Sequence, residues 1–126
     1  MTEDARPYAP EKLPRKPDVT PDDFFAVDIR AGRIVKVEDF PEARKPAYKI
    51  TADFGPVIGE LTTSAQATNY PMEALEGRMI VAAINLGEKR IAGFKSQFLT
   101  LGSYSPEGKV LLLGLEDEAE PGAPIG

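Results

Sequence analysis

From Val27 onward apolar and charged residues take turns. Val27, Ile29, Ala31, Val35 and Val37 share one parity, and Asp28, Arg30, Lys36 and Glu38 share the other. A two-residue period places one set on a buried face of a strand and the other in water, whereas a helix would scatter both sets around its axis. Gly32-Arg33-Ile34 interrupts the alternation, and a glycine at such a break reads as a bulge. A bulge lets a long strand bend and serve two sides of a barrel.

The same period recurs in Tyr48, Ile50, Ala52 and Phe54, between Pro46 and a Gly55-Pro56 turn. Val57 to Ser64 reads as a third strand, joined to the second by a hairpin across Gly55-Pro56. Thr68-Asn69-Tyr70-Pro71, Met72 to Glu76 and a terminating Gly77 fit one or two helical turns. Met79 to Ile84 is an uninterrupted, β-branched-rich run, which suits a central strand buried on both faces. Asn85 to Arg90 reads as a charged turn, Ile91–Phe94 and Phe98–Leu101 as strand segments, Ser103–Gly108 as a turn and Val110–Leu113 as a last strand. Short strands joined by turns, with one short helix between the third and fourth, favour an all-β fold, a five-stranded Greek-key barrel of the OB type.

A chain of 126 residues suits one domain, placed at 24–126, preceded by a proline-rich arm over 1–23. Pro7, Pro10, Pro14, Pro17 and Pro21 forbid a helix through most of that arm. It is either a loose tail or an extended arm packed on its own domain or on a second subunit. Thr20-Pro21-Asp22-Asp23 supplies a cap, an early proline and two acids for a single helical turn leading into Phe24. Past Gly114 the acidic stretch reads as a loop ending in an exposed turn.

Cysteine and histidine are both absent, which removes disulfides, thiolate and imidazole metal sites and every nucleophile that relies on a His base. No metal or other cofactor is expected. No run approaches the length of a membrane span and no signal peptide is visible, so the expected location is cytoplasmic. The formal charge of −5 is unevenly spread. Residues 1–23 hold four basic and six acidic side chains, residues 115–126 four acidic and none basic, and the centre eleven basic and ten acidic. The centre is therefore free to present a positive face to an anionic partner.

OB barrels commonly bind nucleic acid on strands two and three and the loops after strands one and four. Here those loops are Phe40–Pro46, with Arg44 and Lys45, and Asn85–Arg90, with Lys89 and Arg90. With Lys49 and Lys95 these six cations are expected to converge on one groove suited to phosphates. Phe40, Tyr48, Phe94 and Phe98 are candidates for stacking bases or lining a peptide groove, although core packing should claim at least two of them, and Phe94 has the best claim to exposure. Ser64 and Ser96 offer hydroxyls for phosphates or base edges. No phosphate-cradling glycine loop, metal cluster or convergent acid pair stands out, and no active site is expected.

Several words of the sequence, in this order, resemble the CsaA family, a branch of the stand-alone tRNA-binding domains. They are Asp28-Ile29-Arg30-Ala31-Gly32-Arg33-Ile34-Val35, Phe40-Pro41-Glu42-Ala43-Arg44, Ser64-Ala65-Gln66 and Arg90-Ile91-Ala92-Gly93-Phe94-Lys95-Ser96, followed by Phe98, Leu99 and Leu101-Gly102. The resemblance implies an OB-fold subunit of a homodimer that binds tRNA, with chaperone-like activity toward unfolded or exported polypeptides. It also places Ser64, Ser96 and Leu99 at positions linked with RNA contact. Phe40-Pro41 departs from the His-Pro of the wider tRNA-binding pattern, in keeping with the chaperone-like branch. Two readings follow: a non-enzymatic tRNA-binding dimer, or a protein-export chaperone that binds peptide without RNA. A carboxylate enzyme and a purely structural barrel are the weaker alternatives.

Overall fold

The computed structural model describes residues 7–126, so residues 1–6 of the expected arm lie outside the described residues. Nine strands follow one another as β1 (Ile29–Asp39), β2 (Tyr48–Asp53), β3 (Glu60–Ala65), β4 (Met79–Ala83), β5 (Lys89–Ile91), β6 (Phe94–Ser96), β7 (Leu99–Thr100), β8 (Gly102–Tyr104) and β9 (Val110–Leu112). Three short helices, α1 (Pro21–Phe25), α2 (Gly55–Ile58) and α3 (Met72–Leu75), interleave with them. The main sheet has the order β3-β2-β1-β4-β7, and every neighbouring pair is antiparallel. No helix among the described residues is long and apolar enough to cross a membrane.

β1 serves two sides, as its length suggests: residues 29–33 pair with β4 and residues 33–39 with β2. The irregularity lies elsewhere than expected. Ile34 faces Ala52 and Lys36 faces Thr51, so Val35 is the extra residue, and it is 44% exposed while Ile34 is buried. Gly32 is needed for closeness instead: a Cβ there would stand 2.5 Å from the ring of the buried Phe54.

β2 keeps its period, with Tyr48, Ile50, Ala52 and, just past the strand, Phe54 all buried. Its hairpin with β3 also forms, but residues 55–58 coil into α2, leaving Val57 91% exposed, so the third strand starts at Glu60 rather than Val57. β4 is buried at every position and lies between β1 and β7, as a run without polar residues requires.

The barrel approaches closure where residues 95–98 meet β3. Gln97 N donates to Thr62 O (2.7 Å), Gln97 Oε1 accepts from Thr62 N (3.0 Å), and Thr63 Oγ1 donates to Phe98 O (2.7 Å). Inside, Phe54 and Phe98 meet edge to face with centroids 5.0 Å apart, joined by Ile34, Ile50, Leu75 and Ile80. This is a nearly closed five-stranded OB-like barrel with α3 between β3 and β4.

Two further departures concern the ends of the barrel. Residues 89–96 form a hairpin, with Ala92 (φ +48°) and Gly93 (φ +81°) at its tip, where a continuous strand over Ile91–Phe94 was expected. A two-residue turn with both φ positive matches the twist of its flanking strands. Likewise Gly102–Tyr104 pairs with Val110–Leu112, so part of the expected turn is strand. The C-terminal stretch is not a free loop. Ala31 N donates to Ala123 O, Gly122 N to Ala31 O and Ile125 N to Ile29 O, all within 2.9 Å.

On the N-terminal side, Ala9 is buried, Tyr8 stacks on Tyr104, and Pro10–Lys12 form one 3₁₀ turn. Residues 13–20 run exposed to α1, whose capping box joins Thr20 and Asp23 reciprocally. Asn85 then clamps the exit of α1, accepting from Asp28 N (2.7 Å) and donating to Ala26 O (2.9 Å).

Candidate nucleic-acid interface

A half-open groove of about 610 Å³ lies beside the end of β3, the turn before β5, the stretch from Ser96 to Thr100 and the β8–β9 hairpin. Its wall includes Ser64, Gln66, Lys89, Ser96, Leu99 and Tyr104, and Phe98 and Leu112 lie at its base. The β3 end reaches the groove because Ser96 is tied to it: Ser96 Oγ lies 2.9 Å from Thr63 Oγ1 and accepts from Ser64 N (3.3 Å). Ser64, Lys89, Ser96 and Leu99 are thus brought together from three separate stretches of the chain.

The other cations are distributed differently. Pairing of Lys89 with Ser96, Arg90 with Lys95 and Ile91 with Phe94 fixes which side chains share a face of the hairpin. Alternation puts Lys89, Ile91, Phe94 and Ser96 on one face and Arg90 and Lys95 on the other. Lys89, Ile91 and Ser96 accordingly line the groove, and Arg90 and Lys95 do not. The expectation that all six cations gather in one groove is therefore corrected. The sequence predicts a turn over residues 85–90, and only the pairing of Lys89–Ile91 as a strand separates the adjacent Lys89 and Arg90.

Arg44 lines a second, shallower recess with Asp39, Phe40, Pro41, Ala43, Pro46, Ala47 and Thr68, and Lys45 lies exposed in the same loop. Lys49 connects the two regions. Its Nζ lies 5.0 Å from the ring centre of Phe40 and 5.3 Å from that of Phe94, and these rings meet edge to face at 5.6 Å. The loop after β1 and the β5–β6 hairpin are thereby packed against each other through aromatic rings under a cation.

Among the described residues none of Arg44, Lys45, Lys49, Lys89, Arg90 and Lys95 forms an ion pair, whereas Arg30, Arg33 and Lys36 each do. All of the six except the half-buried Lys49 are exposed. Their charge is therefore not neutralised by a neighbouring carboxylate in a geometry that a phosphate would have to disrupt.

Three of the four candidate aromatic rings, Phe40, Tyr48 and Phe98, are buried and offer no open face for stacking, while Phe94 is half-buried. Tyr48 also donates its hydroxyl to Tyr70 O (2.8 Å), which fixes it as a core residue with a satisfied polar end. The sequence reading overlooked Leu86 and Tyr104 as groove residues. Leu86 (57% exposed) and Leu99 (53% exposed) are both apolar lining residues left open to water. Two leucines outside the alternating core pattern were the available signal for them. Tyr104 had no local signal, because its place depends on the β8–β9 pairing. Thr100, also in the wall, has a shielded hydroxyl with no hydrogen-bond partner among the described residues.

Comparison with known proteins agrees with this geometry. The family model described as "Putative tRNA binding domain" matches residues 29–124. The structure is similar to the CsaA chaperone protein from Picrophilus torridus at 44% identity and a TM-score of 0.82, covering 86% of this chain and 100% of that one. It is similar to the chaperone CsaA from Bacillus anthracis at 40% identity and a TM-score of 0.81, covering 87% of this chain and 100% of that one. Methionine–tRNA ligase of Archaeoglobus fulgidus is 33% identical over 115 residues, spanning 91% of this chain but only 17% of that enzyme. The match over residues 29–124, on an OB-like barrel shared with CsaA proteins, means that this chain belongs to the tRNA-binding domain family.

Proposed function

We propose that the protein binds tRNA without catalysing a reaction, through the cationic surface formed by Arg44, Lys45, Lys49, Lys89, Arg90 and Lys95 together with the groove residues Ser64, Ser96 and Leu99. The observation that carries this reading is the absence of ion pairs at those six cations among the described residues, in a chain whose β1 cations are paired. Unpaired lysines and arginines exchange small counterions for phosphates, and the released ions drive association. The family match to a tRNA-binding domain supports the choice of tRNA over another polyanion. The proposed setting is a cytoplasmic homodimer, in which two copies give one ligand two cationic faces and the second contact forms at high effective concentration.

Titration of tRNA binding against salt tests the reading. Affinity should fall steeply as salt rises, and binding that is absent or indifferent to salt would remove it. Sedimentation of the free protein reads the dimer.

A second reading is favoured by Leu86 and Leu99, which stand exposed at a groove with Phe98 and Leu112 at its base. An extended polypeptide could bury these groups, in line with the chaperone names of the similar structures and with a role toward unfolded or exported chains. Suppression of client aggregation that survives alanine replacement of Arg44, Lys45 and Lys89 but is lost on replacing Leu86 and Leu99 by serine would favour this reading over the first.

A further inference from the structure

Tyr8 and Tyr104 stack with ring centres 4.4 Å apart and planes 14° from parallel, although they lie 96 positions apart in sequence. Burial does not explain the pair, since Tyr104 remains 54% exposed and Tyr8 36%. Neither hydroxyl makes a hydrogen bond among the described residues. Tyr104 also lines the groove, with Val110, its partner across the β8–β9 hairpin, beside it. One side of the ring is taken by Tyr8, and the half-exposed Tyr104 borders the same groove that Ser64, Lys89 and Ser96 line.

We propose that Tyr104, backed by Tyr8, is a stacking platform for an unpaired nucleobase at the rim of the groove. This deepens the tRNA-binding reading and rests on it. Every base has a π-face, so an exposed ring accepts one regardless of sequence, and the neighbouring hydroxyls and Lys89 lie where the attached sugar and phosphate would follow. Other rings in the region cannot serve: Phe98 and Tyr48 are buried, and Phe94 packs against Phe40 beneath Lys49. Tyr8 acts as a positioning residue. It holds Tyr104 in one orientation, so less freedom is lost when a base docks. It precedes the segment 29–124 that the family model matches, so the platform combines the barrel with the chain's own arm.

The probes are a short single-stranded poly(A) RNA and a blunt RNA duplex, with tyrosine emission as one readout, since the chain has four tyrosines and no tryptophan. The single strand should quench tyrosine emission and the duplex should not. Tyr104→Leu should weaken single-strand binding about tenfold while leaving the salt dependence unchanged, because no phosphate contact is lost. Tyr8→Ala should produce a smaller loss in the same direction, and Tyr104→Trp should retain affinity with its new emission quenched by the RNA. If Tyr104→Leu binds like the parent while Lys89→Ala reduces the salt slope, the platform is overturned and the tRNA-binding reading stands. If no RNA binds the parent protein, both fall. Should Tyr104→Leu fail to fold, unquenched tryptophan emission in Tyr104→Trp overturns the platform. Loss of polypeptide binding in place of RNA binding overturns it too.

Discussion

The arginines of β1 and the cations of the loop after β1 and the β5–β6 hairpin are the same residue types under opposite constraints. Arg33 donates to Gly77 O (2.8 Å), Asp117 Oδ1 (3.0 Å) and Asp117 O (3.0 Å), fastening the acidic C-terminal stretch to the barrel. Arg30 is held by Asp28 (2.6 Å) and by Gly122 O (3.1 Å). Among the described residues Arg44, Lys45 and Lys89 have no such ion pairs. A count of charges would treat all of them alike. What separates them is whether a carboxylate already occupies the place where a phosphate would bind, so an acidic chain can still offer a cationic surface.

The strongest way to break this contrast is to remove charge from the unpaired set. Replacing Arg44, Lys45 and Lys89 together by alanine should lower tRNA affinity by about a hundredfold or more and reduce the slope of log affinity against log salt by about three, without changing the melting temperature. Filter binding over a salt series checks it, and an unchanged slope would mean the three touch no phosphate. Next in size is the fastened region. Gly122 (φ +90°) crosses residues 54 and 55 so tightly that an added Cβ would fall on the Phe54 carbonyl oxygen. Gly122→Ala should cost about 3 kcal/mol in urea unfolding, from backbone strain and overpacking combined.

Arg33→Ala should cost about 1–2 kcal/mol, because its hydrogen bonds to Gly77 O and to the exposed stretch are lost, and tRNA affinity should stay as in the parent. An affinity drop there would erase the distinction between the two sets. The smallest effect is expected at the tip of the hairpin. Ala92 holds a positive φ that asparagine tolerates better, so Ala92→Asn should raise stability by about 0.5 kcal/mol and leave the cations in place.

Elements whose partners are announced by their own residues were legible from sequence. β2 and β4 state their burial in the pattern of Tyr48–Phe54 and Met79–Ala83, and Thr20 to Asp23 spell out the cap of α1. Residues positioned by distant pairing were not. The hairpin of Lys89–Ile91 with Phe94–Ser96 has no apolar alternation strong enough to reveal its register, and that register alone divides Lys89 from Arg90. Where residues 122 and 123 lie against β1 is set in part by backbone bonds to Ala31, and backbone groups leave no side-chain signature. For the site, the stretches that meet were foreseeable from the expected barrel, but the faces their side chains occupy were not.

The extra residue in β1 acts as an indexing step for everything after it. Were Val35 to take a regular place in the ladder in place of bulging out, the remaining strand would slip by one position, turning Val37 outward and Glu38 toward the barrel interior. Phe40 would lose its seat against Phe94, and the segment bearing Arg44 and Lys45 would leave the strand on a different heading. The address at which that loop delivers its charge is thus written in the spacing of one exposed valine, several residues upstream of any cation it governs.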